Sequence, residues 1–481
     1  MPASPIHFGT SGWRAIIADE FTFANVRLAV TAIAAHVRKN AKKPVLIVAH
    51  DTRFLAEEFT QAAISILQEH EIEVLQCDGP APTPAVAFEI RRRKTSGAIN
   101  FTASHNPAAY NGLKFSGPDG APAMPEVTHD IEARAAKLDP RKFARVPGEQ
   151  DHDDRTPTQI SLPQAYLSRL TELVRFDVIS RSKPKIICDV LHGTAVGYLD
   201  RALAEHGIPC HVIRAERDVL FDGTGPDVTE DNLAPLRKTV LDQRAKIGLA
   251  TDGDADRFGI IDADGTWISP NHILALVYDY LVESRGWKLG AGRSVATSHM
   301  IDAAARLHGQ KVFQTPVGFK YIGELIEQDK IALGGEESAG LSIRGHVPEK
   351  DGILADLLVA EMIAARGGAT LGEQIQTLFK KVGAEFWPIR TNLHLTEEVQ
   401  ARTMAKLKKD YKTFLGRHVK SLDRTDGLKL EFDDSSWVLM RMSGTEPLLR
   451  VYTEAGSQKA SASLTQETHD WILEESVVKT K

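Results

Sequence analysis

Three carboxylates stand at alternate positions in the segment Asp252-Gly253-Asp254-Ala255-Asp256, directly after the apolar run 247–251. Ionised side chains at this spacing repel one another unless a cation lies between them. Carboxylate oxygens are the ligands that magnesium and calcium prefer. The segment therefore predicts a divalent-cation site at the end of a strand.

Two other interpretations of this spacing have to be weighed. An EF-hand calcium loop also opens with Asp-x-Asp-x-Asp, but it needs a glutamate at its twelfth position, which here is Ala263. The apolar residues 258–261 moreover predict a strand where the EF-hand loop would continue. A solvated acidic turn without an ion remains the alternative.

The candidate nucleophile is Ser104, in the turn Thr102-Ala103-Ser104-His105-Asn106-Pro107 that follows the strand-like run 97–101. Asn and Pro favour turn backbone, so the hydroxyl is expected at a surface, beside the imidazole of His105. Downstream, Asn111-Gly112 predicts a tight turn that brings Lys114 back to the same rim. The alternatives are an incidental Ser-His pair and an exposed strand lysine.

Three further loops carry groups that bind anions or hydroxyls. The glycines of 9–12 precede Arg14 and predict either an anion-facing turn or a plain hairpin. The segment 335–340 offers two carboxylates and a hydroxyl, as a sugar site or an ordinary polar turn does. Between Arg441 and Arg450, a Ser-Gly-Thr turn supplies the hydroxyls, N–H groups and guanidinium of a phosphate site.

The elements that carry these loops alternate between strands and helices, which predicts βαβ units and mostly parallel sheets. Ligands bind beyond the carboxyl ends of such strands. This alternation of strands and helices occurs three times along the chain, and a different pattern begins near residue 384. Strands are predicted over 44–49, 73–76, 97–101, 185–190, 247–251 and 294–297, helices over 25–38, 163–175, 301–308 and 353–365, and a linker over 138–160.

Composition restricts the class of protein. A chain of 481 residues is too long for one core and predicts roughly three or four domains. The net charge of −6 argues against nucleic-acid binding, and the basic cluster 91–94 is predicted to end a helix. Three dispersed cysteines favour a reducing compartment. No apolar run reaches the ~18 residues of a membrane span, so we expect a soluble cytoplasmic protein with no nucleic-acid or membrane partner.

Four stretches together resemble the motifs of the α-D-phosphohexomutases, in the order of that family: 102–107, 252–257, 335–340 and 441–447. The resemblance implies an α/β fold in which three similar mixed α/β sandwich domains and a smaller α+β C-terminal domain surround a central cleft. The implied domains are a phosphoserine domain (1–148), a metal-binding domain (158–266), a sugar-binding domain (267–382) and a C-terminal phosphate-binding domain (383–481).

The resemblance also implies a role for each matching residue. Ser104 is expected to be phosphorylated and to hold Mg²⁺ together with Asp252, Asp254 and Asp256. Lys114 is the preferred general acid or base, with His105 as the alternative. The other implied residues are Arg14 and Arg257 beside the phosphoserine, Thr315, Gly318, Glu336, Ser338 and Lys350 for the sugar, Lys320 on the phosphate path, and Arg441, Ser443, Gly444, Thr445 and Arg450 for the distal phosphate.

The implied reaction is a reversible phosphoryl transfer between Ser104 and a hexose phosphate, with glucose 1,6-bisphosphate as intermediate and activator. Glucose 1-phosphate to glucose 6-phosphate is the expected conversion. Phosphomannomutase or a dual-specificity enzyme is the alternative, and phosphoglucosamine mutase a weaker one, because Met442 stands where that branch commonly has proline. A non-catalytic sugar-phosphate- or Mg²⁺-binding protein and a one-way phosphatase are the other classes. A monomer or homodimer is expected.

Overall fold

The computed structural model describes residues 6–143, 156–442 and 448–473. Within these ranges the chain forms four sheets, each covered by helices, which define the first to fourth domains. The predicted architecture of three similar α/β domains and a different C-terminal one is confirmed. Ser443, Gly444 and Thr445 lie outside the described residues.

The first domain comprises β1 (Trp13–Ile16), α1 (Phe23–Asn40), β2 (Val45–His50), α2 (Ala56–Glu69), β3 (Glu73–Cys77), α3 (Thr83–Arg93), β4 (Ala98–Phe101), β5 (Tyr110–Ser116), α4 (Pro125–Ala135) and β6 (Thr158–Ile160). The strand order is β1-β5-β4-β2-β3-β6. Helix α1 starts before the predicted residue 25 because the Thr22 hydroxyl caps it, accepting from the Asn25 N–H. Strand β6 pairs with β3, so the end of the predicted linker belongs to the first sheet.

The second domain comprises α5 (Pro163–Leu173), α6 (Phe176–Ser182), β7 (Ile186–Asp189), α7 (Leu199–Ala204), β8 (Cys210–Ile213), α8 (Ala234–Gln243), β9 (Ile247–Thr251), β10 (Phe258–Asp262) and β11 (Trp267–Ile268). The third comprises α9 (Pro270–Arg285), β12 (Gly290–Ser294), α10 (Met300–Leu307), β13 (Val312–Thr315), α11 (Phe319–Glu327), β14 (Ile331–Glu336), β15 (Gly340–Ile343), α12 (Gly352–Ala365) and α13 (Leu371–Val382). Their strand orders are β11-β10-β9-β7-β8 and β13-β12-β14-β15.

One strand arrangement recurs in these three domains. Three parallel strands lie side by side, and a fourth strand pairs antiparallel at one edge: β3-β2-β4 with β5, β8-β7-β9 with β10, and β13-β12-β14 with β15. The hairpin that leads into the antiparallel strand carries Ser104 in the first domain, Asp252–Asp256 in the second and Glu336–Ser338 in the third. The three predicted loops therefore occupy the same position in the fold.

The fourth domain is an antiparallel sheet of order β16-β21-β20-β19-β18-β17. Its elements are β16 (Trp387–His394), α14 (Glu397–Leu407), β17 (Thr413–Phe414), β18 (Arg417–Asp423), β19 (Leu428–Phe432), β20 (Trp437–Met442), β21 (Leu448–Ala455) and α15 (Gln458–Leu473). This domain has an apolar core of its own, whereas one continuous core runs from β2 through the second domain to α13.

Two further local predictions are wrong. The strand predicted over 294–297 is β12, which ends at Ser294; Val295 and Ala296 are buried in a turn where they pack against Trp437 of the fourth domain. Asn111 and Gly112 do not form a turn but lie inside β5, opposite Ala15 and Arg14. Gly112 is required there because a Cβ would lie 2.5 Å from the carbonyl oxygen of Thr102.

Candidate active site

The hairpins of the first and second domains meet at Ser104. Contrary to the expectation of a surface hydroxyl, Ser104 is buried, because the second domain covers it. The residue has a left-handed backbone conformation, φ 52°, and its Oγ donates a hydrogen bond of 2.8 Å to Asp252 Oδ2. The Nδ1 atom of His105 lies 3.4 Å from Ser104 Oγ. The structure thus brings the predicted nucleophile directly onto the predicted metal loop.

The acidic loop holds its three carboxylates close together and away from solvent. Oxygens of Asp252, Asp254 and Asp256 lie within 4.8 Å of one another. Asp252 Oδ1 accepts from the N–H groups of Asp256 and Arg257, each at 3.0 Å, which fixes the turn. Burial and then the other two carboxylates raise the pKa of Asp252 well above its usual range.

This donor set fits a divalent cation. Asp254 Oδ1 and Asp256 Oδ1 are buried and find no hydrogen-bond partner in the part of the chain that the structure describes. Buried oxygens without a partner are costly, and a hard cation satisfies them. The cluster can therefore bind a metal ion, with Ser104 Oγ alongside it.

Two lysines approach the loop from the other domains. Lys114 Nζ lies 2.5 Å from Asp254 Oδ2 and 2.8 Å from Asp256 Oδ2, and Lys350 Nζ lies 2.9 Å from Asp256 Oδ2. Burial lowers the pKa of Lys114, but Asp254 and Asp256 raise it by more, so the net pKa lies above the usual value. Lys350, predicted to touch the sugar, is thus at the acidic loop.

Arg14, Arg257 and His105 line the rim beside Ser104. Arg14 donates from Nη1 to Asn106 Oδ1 at 2.9 Å, and Arg257 lies 3.5 Å from Asp227. Burial, followed by the charges of Arg257 and Arg14, lowers the pKa of His105 well below its usual value. The rim therefore carries positive charge that can attract an anion.

The third domain contributes the hairpin that carries Glu336. Its Oε1 accepts from the Gly318 N–H at 2.7 Å, which links two of the predicted sugar residues. Ser338 is half-buried in the same hairpin, and the Thr315 hydroxyl donates to the Pro316 carbonyl at 2.9 Å. Lys320 is half-buried, and burial lowers its pKa although Glu126 of the first domain acts in the opposite direction.

The fourth domain presents arginines on β20, β21 and β16. Arg441 Nε lies 2.8 Å from Asp426, which also accepts from the Val317 N–H at 3.1 Å. Arg450 stands opposite Arg441 in the sheet, and its Nε finds no partner among the described residues. The two arginines that were predicted to bind the distal phosphate are thus brought together.

Sequence reasoning missed four side chains at these sites. The Thr83 hydroxyl donates to Asp254 Oδ2 at 2.5 Å and accepts from Asn100 Nδ2 at 3.1 Å. Arg390 lies close enough to His105 for its charge to lower the pKa of that imidazole, and Asp426 pairs with Arg441. Their only signal was position, since Thr83 follows a strand-end loop and Asn100 lies in the strand before the nucleophile.

No helix in the described ranges is both long and apolar enough to cross a membrane.

Family comparisons cover almost the whole chain. The models of the phosphoglucomutase/phosphomannomutase α/β/α domains I, II and III match residues 5–142, 164–265 and 269–382, and the C-terminal domain model matches 391–470.

Individual relatives support the same family assignment. A phosphoglucomutase/phosphomannomutase of Thermococcus kodakarensis is 31% identical over 94% of this chain and 95% of its own length. A phosphoglucosamine mutase of Thermobifida fusca is 28% identical over 97% of this chain and 98% of its own. A crystal structure of a candidate phosphomannomutase from Thermus thermophilus superimposes with a TM-score of 0.84 at 31% identity, covering 98% of this chain and 99% of that one. With a buried serine against an acidic loop and arginines on the fourth domain, the chain belongs to the phosphoglucomutase/phosphomannomutase family of phosphohexomutases.

Proposed function

We propose that this protein interconverts glucose 1-phosphate and glucose 6-phosphate through a phosphoserine at Ser104 and glucose 1,6-bisphosphate. The observation that carries the proposal is the 2.8 Å hydrogen bond from Ser104 Oγ to Asp252, inside a buried set of three carboxylates flanked by lysines and arginines. Such a site is suited to a phosphoryl group whose charge must be balanced during transfer.

The acidic loop is the proposed Mg²⁺ site. Asp252, Asp254 and Asp256 would hold the ion together with an oxygen of Ser104 or its phosphate. When bound, Mg²⁺ supplies positive charge that balances the transferring phosphoryl. Lys114 is the proposed general acid or base for the sugar hydroxyl, since its Nζ contacts Asp254 and Asp256 of the acidic loop, and His105, whose Nδ1 lies 3.4 Å from Ser104 Oγ, is the alternative.

The other two domains bind the ends of the sugar phosphate in this proposal. The Glu336 carboxylate accepts hydrogen bonds from sugar hydroxyls, and the Ser338 hydroxyl donates to them. The other residues that line the sugar site in this proposal are Thr315, Gly318 and Lys350. Arg441 and Arg450, with Ser443, Gly444 and Thr445, hold the distal phosphate. After the first transfer the bisphosphate turns over, so that its second phosphate returns to Ser104.

Glucose is the first choice of sugar and mannose the second. The relative from Thermococcus kodakarensis carries both names, and a phosphoglucomutase of Komagataeibacter xylinus is 29% identical over 95% of this chain and 88% of its own length. One relative at 28% identity is named a phosphoglucosamine mutase and several others a probable phosphoglucosamine mutase, so glucosamine phosphate is included in the test.

The test compares initial rates with glucose 1-phosphate, mannose 1-phosphate and glucosamine 1-phosphate, each with Mg²⁺ and a trace of the bisphosphate. We expect glucose 1-phosphate to be fastest, Ser104→Ala to lower the rate by about 10⁴-fold or more, and the exposed-site control Ser168→Ala to match the parent. Intact mass is expected to show one phosphate on the parent and none on Ser104→Ala. Faster conversion of another sugar overturns the glucose assignment, and stoichiometric release of inorganic phosphate would identify a phosphatase.

A further inference from the structure

One buried guanidinium, that of Arg53, holds the turn that carries Ser104. Arg53, which follows β2, donates from Nη2 to the carbonyl oxygens of Ser104 and Asn106, both at 2.6 Å. Its Nη1 donates to the carbonyl oxygens of Pro107 and Tyr110, at 2.9 and 3.0 Å. One side chain therefore binds four backbone carbonyls of the segment 104–110.

This segment needs such support because its backbone is strained. Ser104 has φ 52°, a conformation that side chains with a Cβ adopt at a cost. Buried carbonyls also require hydrogen-bond donors. By satisfying four of them at once, Arg53 sets the path of the turn and hence the direction in which Ser104 Oγ points.

The Arg53 side chain is in turn held by Asp51, which directly follows β2. Asp51 accepts from the Arg53 backbone N–H at 2.9 Å and from its Nε at 3.2 Å, and both side chains are buried. A lysine cannot reproduce this arrangement, because its single ammonium lacks the planar fork of five donors.

The second domain fastens Arg53 from the opposite side. The Phe221 ring lies 5.1 Å from the guanidinium carbon. Arg217 donates to the carbonyl oxygens of Thr52 and Arg53 at 2.9 and 3.1 Å. At Gly253 of the acidic loop, a Cβ would lie 2.8 Å from the Ser104 carbonyl that Arg53 binds. The turn of Ser104, the Arg53 guanidinium and the acidic loop are thus packed against one another.

We propose that Arg53 is the positioning residue that fixes the Ser104 turn against the acidic loop, with Arg217 and Phe221 fastening it from the second domain. The inference rests on the proposed function, in which Ser104 carries the phosphoryl group. Arg53 acts through the backbone of the turn, because its side-chain hydrogen bonds within the described ranges go to Asp51 and to the carbonyls of 104–110.

The experiment compares Arg53→Met and Arg53→Lys with Arg285→Lys. Arg285 is a matched control, a guanidinium bonded to Glu361 and to the Leu173 carbonyl at 2.8 and 3.2 Å. In Arg53→Met we expect kcat to fall about 100-fold, the scale of a displaced reacting group, with KM within about threefold of the parent. Arg53→Lys should recover part of the loss, and Arg285→Lys should keep the parental kcat.

Amide hydrogen exchange supplies a readout that does not depend on turnover. Peptides covering 103–112 should exchange faster in Arg53→Met and at the parental rate in Arg285→Lys. If Arg53→Met does not fold, Arg217→Ala is the second variant, with about a tenfold loss of kcat and the same local increase in exchange. A folded Arg53 variant with parental kcat or parental exchange over 103–112 overturns the inference. A parent protein without mutase activity overturns the proposed function instead, and the exchange result still decides whether Arg53 holds the turn.

Discussion

The Ser104 region and the arginine face of the fourth domain treat their charges in opposite ways. Around Ser104 the three aspartates are buried and lie against Lys114, Lys350 and the backbone. The arginine face consists of Arg390, Arg441 and Arg450. Arg441 pairs with Asp426, but Arg390 is exposed and Arg450 is half-buried, and neither of these two pairs with a carboxylate in the ranges that the structure describes. The first region is organised before any ligand arrives, whereas the second keeps positive charge available for an anion.

Under the proposed function, this contrast separates a catalytic region from a binding region. A preorganised, buried site acts on the transition state and shows itself in kcat. A charged face that holds the non-reacting end of the substrate contributes equally to the ground state and the transition state, and shows itself in KM. Variants of the two regions should therefore differ in which of these constants they change.

The largest effect is expected at the acidic loop. Asp254→Asn should lower kcat about 10³-fold and change KM by less than about threefold, because it removes a proposed metal ligand and the partner of Lys114. Steady-state kinetics measures both. Asp242→Asn is the control, since that exposed carboxylate pairs with Lys238 on the surface of the same domain. A kcat within tenfold of the parent would contradict the prediction.

The arginine face should respond in KM. Arg450→Met is expected to raise KM about 10- to 100-fold, the value of one hydrogen bond between charged groups, with kcat within about threefold. Arg424→Met, which changes an exposed arginine of the same domain that pairs with Asp410, should leave both constants unchanged. A fall in kcat at constant KM would place Arg450 with the catalytic region and break the comparison.

The sugar hairpin is expected to give a pH effect. Burial and then Glu337 raise the pKa of Glu336 to about 7. The carboxylate is therefore lost as pH falls through 7, and with it an acceptor for sugar hydroxyls. Between pH 8 and pH 6, kcat/KM of the parent should fall about tenfold more than that of Glu336→Gln, in which this group does not titrate. Parallel profiles would exclude Glu336 from sugar binding.

The smallest effect concerns stability. Saturating Mg²⁺ should raise Tm by about 3–5 °C relative to a chelator, because an ion at 100 times its Kd stabilises the folded chain by about 2.7 kcal/mol. Thermal denaturation measures the shift, which should vanish in Asp254→Asn. An unchanged parental Tm would mean that the lysines alone balance the acidic loop.

The sequence predicted the parts of the site that local spacing encodes. Asp252–Asp256 and Ser104 stand out because a turn after an apolar run places polar groups at a strand end. The alternation of strands and helices predicted three similar units. The contact between Ser104 and Asp252 joins hairpins of two different sheets, and only the resemblance to a family implied it.

What escaped prediction depends on contacts between distant segments. The Asn111-Gly112 pair is a turn signal, yet β5 needs that glycine because Thr102 lies too close for a Cβ. Val295 and Ala296 are apolar and therefore predict a strand, but they are buried because they pack against Trp437 of the fourth domain. Position after a strand-end loop was the only signal for Thr83, because its partner Asp254 is 171 residues away. Arg390 likewise acts on a distant residue, His105 in the first domain.

The recurrence of one hairpin in three domains has a consequence for how the site can change. Because Ser104, the aspartates and Glu336 stand in separate hairpins of three sheets, the residues of one loop can be substituted without altering the strand pairing that positions the other two. Under the proposed function, a different sugar then requires substitutions in the hairpin of Glu336 and leaves the hairpins of Ser104 and the aspartates as they are.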